Sequence, residues 1–235
     1  MSETVAVVRA SRPNFLVLAP LCAGLGVAVA WHQGEPPALL NTLLVLIGAL
    51  LAHAAVNLLN EYEDFASGLD LITRRTPFSG GSGALPEVPT AARQVLLAAF
   101  GTLGLVVAIG LYFLWLRGLP MLVLGAAGVV LVLTYTRWIT RSPLICLLAP
   151  GLGFGPVMIL GSLIALGARL DATALTVSTI GLLLVSELLL INQPPPAWLR
   201  FCCWAALGFW ARRSGLAGYR CGPLSRLRLC RQRSG

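Results

Sequence analysis

The chain has 235 residues, of which 57% are hydrophobic and only 11% are charged, and its mean hydropathy is +0.83. Soluble domains carry about a quarter charged residues, so this composition argues against a soluble enzyme, a disordered chain and a nucleic-acid-binding domain. The net charge of +8 is concentrated at one end. Residues 1–193 hold nine Arg and nine acidic residues, whereas residues 194–235 hold eight Arg and no acidic residue.

Six apolar runs have about the length needed to cross the hydrocarbon core of a bilayer. They predict an all-α, polytopic transmembrane helix bundle with spans at 15–31, 39–59, 95–116, 119–135, 144–166 and 175–191. Gly and Pro recur inside these runs, and neighbouring helices in a membrane bundle tolerate them. The first run could also be taken for a signal peptide, but its removal would leave the later spans in place.

The positions of Arg predict the orientation of the bundle, because cytoplasmic connections are enriched in basic residues. Arg occurs before the first span, in the second and fourth connections, and throughout the tail. The first connection has none, the third has only Arg117, and the fifth has Arg169 beside Asp171. We therefore expect the N-terminus, the second and fourth connections and the tail to be cytoplasmic.

A polar face lies at the cytoplasmic end of the second predicted span. If the helix continues beyond residue 59, positions i, i+3, i+4 and i+7 share one face and carry Asn57, Asn60, Glu61 and Asp64. His53 lies one turn earlier on this face. Gly68 lets the chain turn, so that Asp70 can return toward the same cluster.

Clustered carboxylates repel one another unless a cation neutralises them, and Mg²⁺ prefers oxygen ligands of this kind. A solvated interhelical loop whose acids face water is the alternative interpretation. Two Asn and an acid within an apolar segment favour a functional site, because polar groups at membrane depth are costly and usually line cavities. His53 is more simply interpreted as a packed, hydrogen-bonded helix residue.

Two cationic residues and a glycine-rich run follow the acidic face. Arg74 and Arg75 carry guanidinium groups whose planar geometry matches phosphate oxygens. The run at 80–83, Gly-Gly-Ser-Gly, can bring backbone N–H groups close to an anion. Taken alone, these features are also typical of a basic cytoplasmic flank and a flexible loop. Together with the acidic face, they could hold a metal ion and a diphosphate.

Several motifs in chain order resemble the UbiA superfamily of membrane prenyltransferases. Asn60-Glu61-x-x-Asp64 followed by Asp70 resembles its first aspartate-rich motif. Residues 77–86, Pro-Phe-Ser-Gly-Gly-Ser-Gly-Ala-Leu-Pro, are similar to the loop that follows in the branch acting on 1,4-dihydroxy-2-naphthoate. Residues 133–136, the basic stretch with Arg137 and Arg141, and residues 154–162 are similar to later parts of that branch. The resemblance covers about residues 10–193.

The resemblance implies transfer of a prenyl chain from a polyprenyl diphosphate to an aromatic acceptor, of the type used in menaquinone biosynthesis, in the lipid bilayer. It implies Mg²⁺ bound by Glu61, Asp64 and Asp70, with Asn60 and Tyr135 also in the catalytic set. The substrate-binding residues that it implies are Asn57, Arg74, Arg75, Arg141 and Asn192. Nucleic acid is not an expected partner.

The sequence departs from the family pattern at three places. Glu61 stands where the family has Asp, and Leu144-Ile145-Cys146 follows the basic stretch where relatives often carry Gly-Glu. After Asn192 and Gln193, which resemble the opening of a second aspartate motif, no acid appears again. We therefore expect two parts: an incomplete membrane domain at 1–193, with about six of the usual nine spans, and an unrelated Arg-, Cys- and Pro-rich tail at 194–235.

A small transporter or an ion-pathway protein is the competing function. Its acidic helix face would then form an ion path, and Glu187 inside the last span would extend it. An orphan structural membrane protein is a further alternative.

The predicted orientation can be tested by cysteine labelling of intact cells or sealed vesicles. A cysteine at Ser79, in the second connection, should react only with reagent on the cytoplasmic side. A cysteine at Pro36, in the first connection, should react only from the opposite side. Labelling of the Ser79 position only from outside would refute the orientation.

The compositional change at residue 193 predicts that the tail is not a native continuation of this fold, and that a frameshift in GC-rich DNA produced it. The rival interpretation is a genuine basic tail that lies on anionic lipid. By resemblance, a chain without the later helices should be weakly active at best. Resequencing the DNA around codon 193 distinguishes the two. An unbroken frame, with prenyl transfer as fast as in a nine-helix relative, would contradict the prediction.

Overall fold

The computed structural model describes residues 1–34, 36–68, 81–135 and 143–192. Within these ranges all regular secondary structure is helical, which confirms the all-α, polytopic bundle. The tail at 194–235 lies outside the described residues, so the two-part organisation stays a prediction.

The N-terminal segment folds into three helices rather than one. Helix α1 covers Glu3–Ala10 and starts at Ser2, whose Oγ accepts a hydrogen bond from the backbone N–H of Val5 at 3.4 Å. Helix α2 covers Pro13–Leu16, and helix α3 covers Leu18–His32. The segment Glu3–Leu16 meets α3 at an angle of 42°. The sequence predicted a first span from residue 15, but it did not predict the helix that precedes it.

Helix α4, Leu39–Ala66, is the longest helix in the described part of the chain and carries the polar face. It continues seven residues beyond the apolar run that predicted it, which confirms that the helix extends through Asp64. The chain turns after Ser67 at Gly68, whose φ of +75° is favourable for glycine. The polar residues of α4 therefore share one rigid element.

The next described elements lead back into the bundle. Helix α5 is a single turn at Ala84–Glu87, and a 3₁₀ turn at Pro89–Ala91 leads into helix α6, Ala92–Arg117. Gly118, with a φ of +71°, separates α6 from helix α7, Leu119–Tyr135. No residue of α7 is buried, and its exposed side chains include Leu122, Val123 and Val130. Such an apolar surface suits contact with lipid.

The fifth predicted span is a composite of three segments: α8 at Pro143–Leu152, a π-helical segment at Gly153–Leu160 and α9 at Gly161–Ala165. Pro150 and Pro156 lie inside it. Proline lacks the N–H that an α-helix needs and its ring collides with the preceding turn, so the change in helical pitch accommodates Pro156. Helix α10, Ala172–Asn192, follows.

Four helical stretches among the described residues are long and apolar enough to cross a membrane: Leu39–Ala66, Pro89–Arg117, Leu147–Ala165 and Ala172–Ile191. The bent pair formed by Glu3–Leu16 and Leu18–His32 is a fifth candidate. Helix α7 is shorter, at 17 residues. The structure thus supports four or five spans where the sequence predicted six.

Small residues let these helices approach closely. Helix α4 packs on α3 and α6, while α10 packs on α8 and the π-helical segment. A Cβ added at Gly155 would lie 2.6 Å from the backbone oxygen of Ser178 and 2.7 Å from the backbone nitrogen of Leu182. Close backbone contact of this kind drives helix association in membranes, where apolar side chains gain little by leaving lipid.

Substitution of Gly155 by Ala should therefore destabilise the bundle, because backbone atoms of α10 would have to move. Overpacking of this kind costs about 1–3 kcal/mol, and thermal unfolding in detergent should show a lower midpoint. Gly161 is the matched control, because it is buried in the same composite helix and an added Cβ would meet no atom within 4 Å. Equal midpoints for Gly155→Ala and Gly161→Ala would contradict this packing.

Candidate functional site

The polar face of α4 lies inside the bundle over most of its length. Glu61 is 0% exposed, Asn57 is 7% exposed and His53 is 9% exposed. Asn60 and Asp64 are half-buried on the same helix. The face predicted from helical periodicity is thus present, and its first residues are shielded from solvent by apolar helices.

The carboxylate of Glu61 is held by the chain segment that begins α5. Its Oε1 accepts hydrogen bonds from the Ser82 hydroxyl, at 2.5 Å, and from the backbone N–H of Ala84, at 3.2 Å. Its Oε2 accepts a hydrogen bond from the backbone N–H of Ser82, at 2.9 Å. Burial of a carboxylate is costly unless such donors replace water, so these contacts explain how Glu61 can be fully buried.

Arg12 supplies the positive charge next to Glu61. Its Nη2 lies 3.4 Å from Glu61 Oε2, and its Nε is buried without a hydrogen-bond partner. The residue has a φ of +53° and precedes Pro13, although such residues normally adopt extended backbone. A left-handed non-glycine residue costs about 1–3 kcal/mol and persists where surrounding contacts fix it. The ion pair with Glu61 is one such contact.

Asn57 fastens the N-terminal segment to α4. Its Nδ2 donates a hydrogen bond to the backbone oxygen of Ser11, at 2.9 Å. This contact lies immediately before Arg12 in the chain, so the amide of Asn57 and the carboxylate of Glu61 hold neighbouring points of the same segment.

Helix α1 lies against the other side of the Ser82 segment. Arg9 donates hydrogen bonds to both carboxylate oxygens of Glu87, at 2.7 and 3.2 Å, and to the backbone oxygen of Ser82, at 3.1 Å. The pair is exposed to solvent, so it contributes little to stability by itself. Beneath it, side chains of α1, α4, α5 and α6 form an apolar cluster that includes Ala6, Leu58, Leu85 and Val95.

His53 is packed, as the sequence predicted, but its Nδ1 atom does not make the hydrogen bond that was also predicted. Its ring meets Phe154 edge-on with ring centres 4.9 Å apart, and Phe154 comes from the π-helical segment. The Nδ1 atom of His53 is buried without a hydrogen-bond partner. The π-helical segment therefore closes the polar face of α4 with an aromatic side chain.

Asn60 is the residue of this face best suited to a metal ion. Its Oδ1 is buried and accepts no hydrogen bond, and an amide oxygen is a normal ligand for Mg²⁺. Asp64 follows one turn later and makes contacts of its own. Among the described residues, no group of three or more His, Cys, Asp or Glu side chains could hold a metal ion. Asn60 and Asp64 are thus the described side chains of this face that offer oxygen atoms of the kind Mg²⁺ prefers, and their role as ligands stays a prediction.

Several predicted site residues cannot be placed. Asp70, Arg74, Arg75 and Arg141 lie outside the described residues, as does the side chain of Asn192. Tyr135 is half-buried at the last turn of α7 and makes contacts of its own. The structure therefore brings together Asn57, Asn60, Glu61 and Asp64 on α4 and leaves the proposed roles of the other residues as predictions.

Glu187 does not extend the polar face. Its side chain lies on the exposed side of α10, whereas Glu61 is fully buried on α4. This placement gives no support to an ion path that links the two carboxylates.

Sequence reasoning missed Arg12 and Ser82 as partners of Glu61. In the sequence, Arg12 is only one of the basic residues before the first span, and Ser82 is only part of a glycine-rich run. The Arg12-Pro13 pair marks a break in the helix, but no local pattern links it to a residue 49 positions later.

Comparison with known families gives one match, in which the profile of the UbiA prenyltransferase family covers residues 17–212. This is most of the chain, and it includes α3, α4 and all later described helices. The match continues past residue 193, where the sequence predicts a boundary, and that boundary stays a prediction. Comparisons with curated proteins and with solved structures gave no match.

Proposed function

Since the chain belongs to the UbiA prenyltransferase family, we propose that it transfers a prenyl group from a polyprenyl diphosphate to an aromatic acceptor of the 1,4-dihydroxy-2-naphthoate type. The family implies membrane prenyltransferase activity in general. The observation that carries the proposal is the polar face of α4, which an apolar helix bundle buries together with the unpartnered oxygen of Asn60.

Asn60 and Asp64, with Asp70 from the following connection, are the residues that we propose to hold Mg²⁺. Enzymes of this family generally use a divalent metal. When bound, the ion neutralises negative charge that develops on the diphosphate as the prenyl chain departs. Glu61 belongs to the same motif in the sequence, but both of its carboxylate oxygens contact protein donors.

Cationic side chains would hold the diphosphate itself. We propose Arg74 or Arg75, together with Arg141, because guanidinium groups match phosphate oxygens in shape and charge. Asn57 and Asn192 are the further substrate-binding residues of this proposal. Asn57 would act through Ser11, to which its amide donates a hydrogen bond.

The apolar helices would hold the prenyl chain and exclude water from it. Water readily adds to an allylic carbocation, so a pocket that excludes water lets the prenyl group react with the acceptor instead. Tyr135 could stabilise this cation through its ring or orient the leaving group.

Our choice of a naphthoate-type acceptor is based on the similarity of residues 77–86 to the loop of the family branch that acts on 1,4-dihydroxy-2-naphthoate. By the distribution of Arg, the N-terminus and this loop would be cytoplasmic.

The proposal can be tested on the purified full chain in lipid nanodiscs. We expect Mg²⁺-dependent binding of a non-hydrolysable polyprenyl diphosphate analogue and, with a dihydroxynaphthoate acceptor, formation of a prenylated product at a rate well below that of a nine-helix relative, because the sequence predicts weak activity for this chain. The Asp64→Ala variant should weaken Mg²⁺-dependent binding of the analogue by about 100-fold, the upper end of what loss of a group that supports a metal site costs in metal affinity.

The matched control is Glu63→Ala, which removes the same charge from the adjacent residue, one position off the polar face. It should bind the analogue as the unmodified chain does. Equal effects of Glu63→Ala and Asp64→Ala would refute the metal assignment. Ion flux in liposomes without binding of any prenyl diphosphate would favour the transporter instead.

A further inference from the structure

We propose that Glu61 is a positioning residue, not a metal ligand: its buried carboxylate joins α4 to the Ser82–Ala84 segment and to Arg12. This arrangement would fix the point at which the connection carrying Arg74 and Arg75 re-enters the bundle. The proposal depends on the proposed function only for the identity of the ligand, a diphosphate. The joining of the three segments stands on the contacts alone.

The carboxylate of Glu61 is surrounded by protein donors. Two carboxylate oxygens offer about four acceptor positions. Oε1 contacts Ser82 Oγ and Ala84 N, while Oε2 contacts Ser82 N and Arg12 Nη2. Four protein donors thus contact the carboxylate of Glu61, and one of them, the N–H of Ala84, is shared with Ser82 Oγ at 3.1 Å. Direct ligation of a cation would require at least one of these contacts to break inside a site with 0% exposure.

These contacts hold the Ser82–Ala84 segment in place. Ser82 is fixed on both sides, since Glu61 accepts from its N–H and hydroxyl while Arg9 donates to its backbone oxygen. Ala84 and Leu85, which follow, are fully buried against α1, α4 and α6. The segment is therefore a rigid anchor, and it immediately follows the 69–80 connection in the chain.

The negative charge of Glu61 lies beside the positive charge of Arg12. Arg12 is the cation adjacent to Glu61, and its left-handed backbone places it there. If Glu61 lost its charge, Arg12 would keep a partly buried guanidinium without this ion-pair partner, and the Ser82 donors would face a poorer acceptor. The consequences of substitution should therefore spread to both partner segments.

The test compares Glu61→Gln, Ser82→Ala and the double variant, as full chains in nanodiscs, by thermal unfolding. Glu61→Gln should lower the midpoint by about 5–10 °C, and Ser82→Ala should lower it by less. In the double variant, Ser82→Ala should add little, because its partner is already altered. Glu63→Gln is the matched control and should unfold as the unmodified chain does. Additive effects of the first two substitutions would overturn the proposal.

A second readout separates positioning from ligation. Binding of the diphosphate analogue is measured at a temperature below the unfolding midpoint of each variant. At saturating Mg²⁺, Glu61→Gln should weaken binding of the diphosphate analogue about tenfold, the lower end of what loss of a supporting contact costs a site. The Mg²⁺ concentration that gives half-maximal binding should stay unchanged. A Mg²⁺ requirement that rises more than tenfold, with an unchanged midpoint of unfolding, would show that Glu61 is a ligand.

The test remains decisive if Glu61→Gln does not fold or if the unmodified chain binds no diphosphate analogue. If Glu61→Gln does not fold, Ser82→Ala replaces it: a lower midpoint with an unchanged Mg²⁺ requirement supports the proposal, and an unchanged midpoint overturns it. If the unmodified chain binds no diphosphate analogue, the proposed function fails, and the coupling between Glu61 and Ser82 alone decides whether the three segments are joined.

Discussion

A fully buried carboxylate is the constraint around which the end of this bundle is organised. A charge cannot stay in an apolar interior without donors, and removing one partner of a buried ion pair typically costs about 3–5 kcal/mol. Glu61 meets this requirement with the hydroxyl and N–H of Ser82, the N–H of Ala84 and the guanidinium of Arg12. Because these donors come from segments far apart in sequence, satisfying one charge brings the N-terminal segment, α4 and α5 together.

The other helices surround the carboxylate of Glu61 with apolar side chains, which makes the loss of any of its donors costly. Close contacts at glycines bring α10 against the proline-containing composite helix, and the π-helical part of that helix presents Phe154 to His53. The polar face of α4 is therefore enclosed by apolar helices at His53, Asn57 and Glu61 but continues through Asn60 and Asp64 toward its half-buried end. The described residues thus place oxygen-bearing side chains at one end of an apolar helix bundle.

Local periodicity was sufficient to predict α4 and its polar face, because positions 57, 60, 61 and 64 follow directly from helical geometry. It also predicted most of α6, α7 and α10. It could not predict that Ser82 binds Glu61, since this contact depends on how the chain returns to the bundle. The sequence did not predict the helix that precedes Arg12 or the π-helical segment, and the reasons differ. The first is too short and polar to resemble a span, and the second arises from how Pro156 is accommodated among its neighbours.

Hydrogen exchange of the amides of Ser82 and Ala84 tests the central role of Glu61 most directly. In the full chain in nanodiscs, a peptide covering residues 81–88 should contain slowly exchanging amides, because the N–H groups of Ser82 and Ala84 donate to a buried acceptor. Glu61→Gln should accelerate exchange in this peptide, and Glu63→Gln should leave it unchanged. Fast exchange in the unmodified chain, or the same rate after Glu61→Gln, would contradict the account.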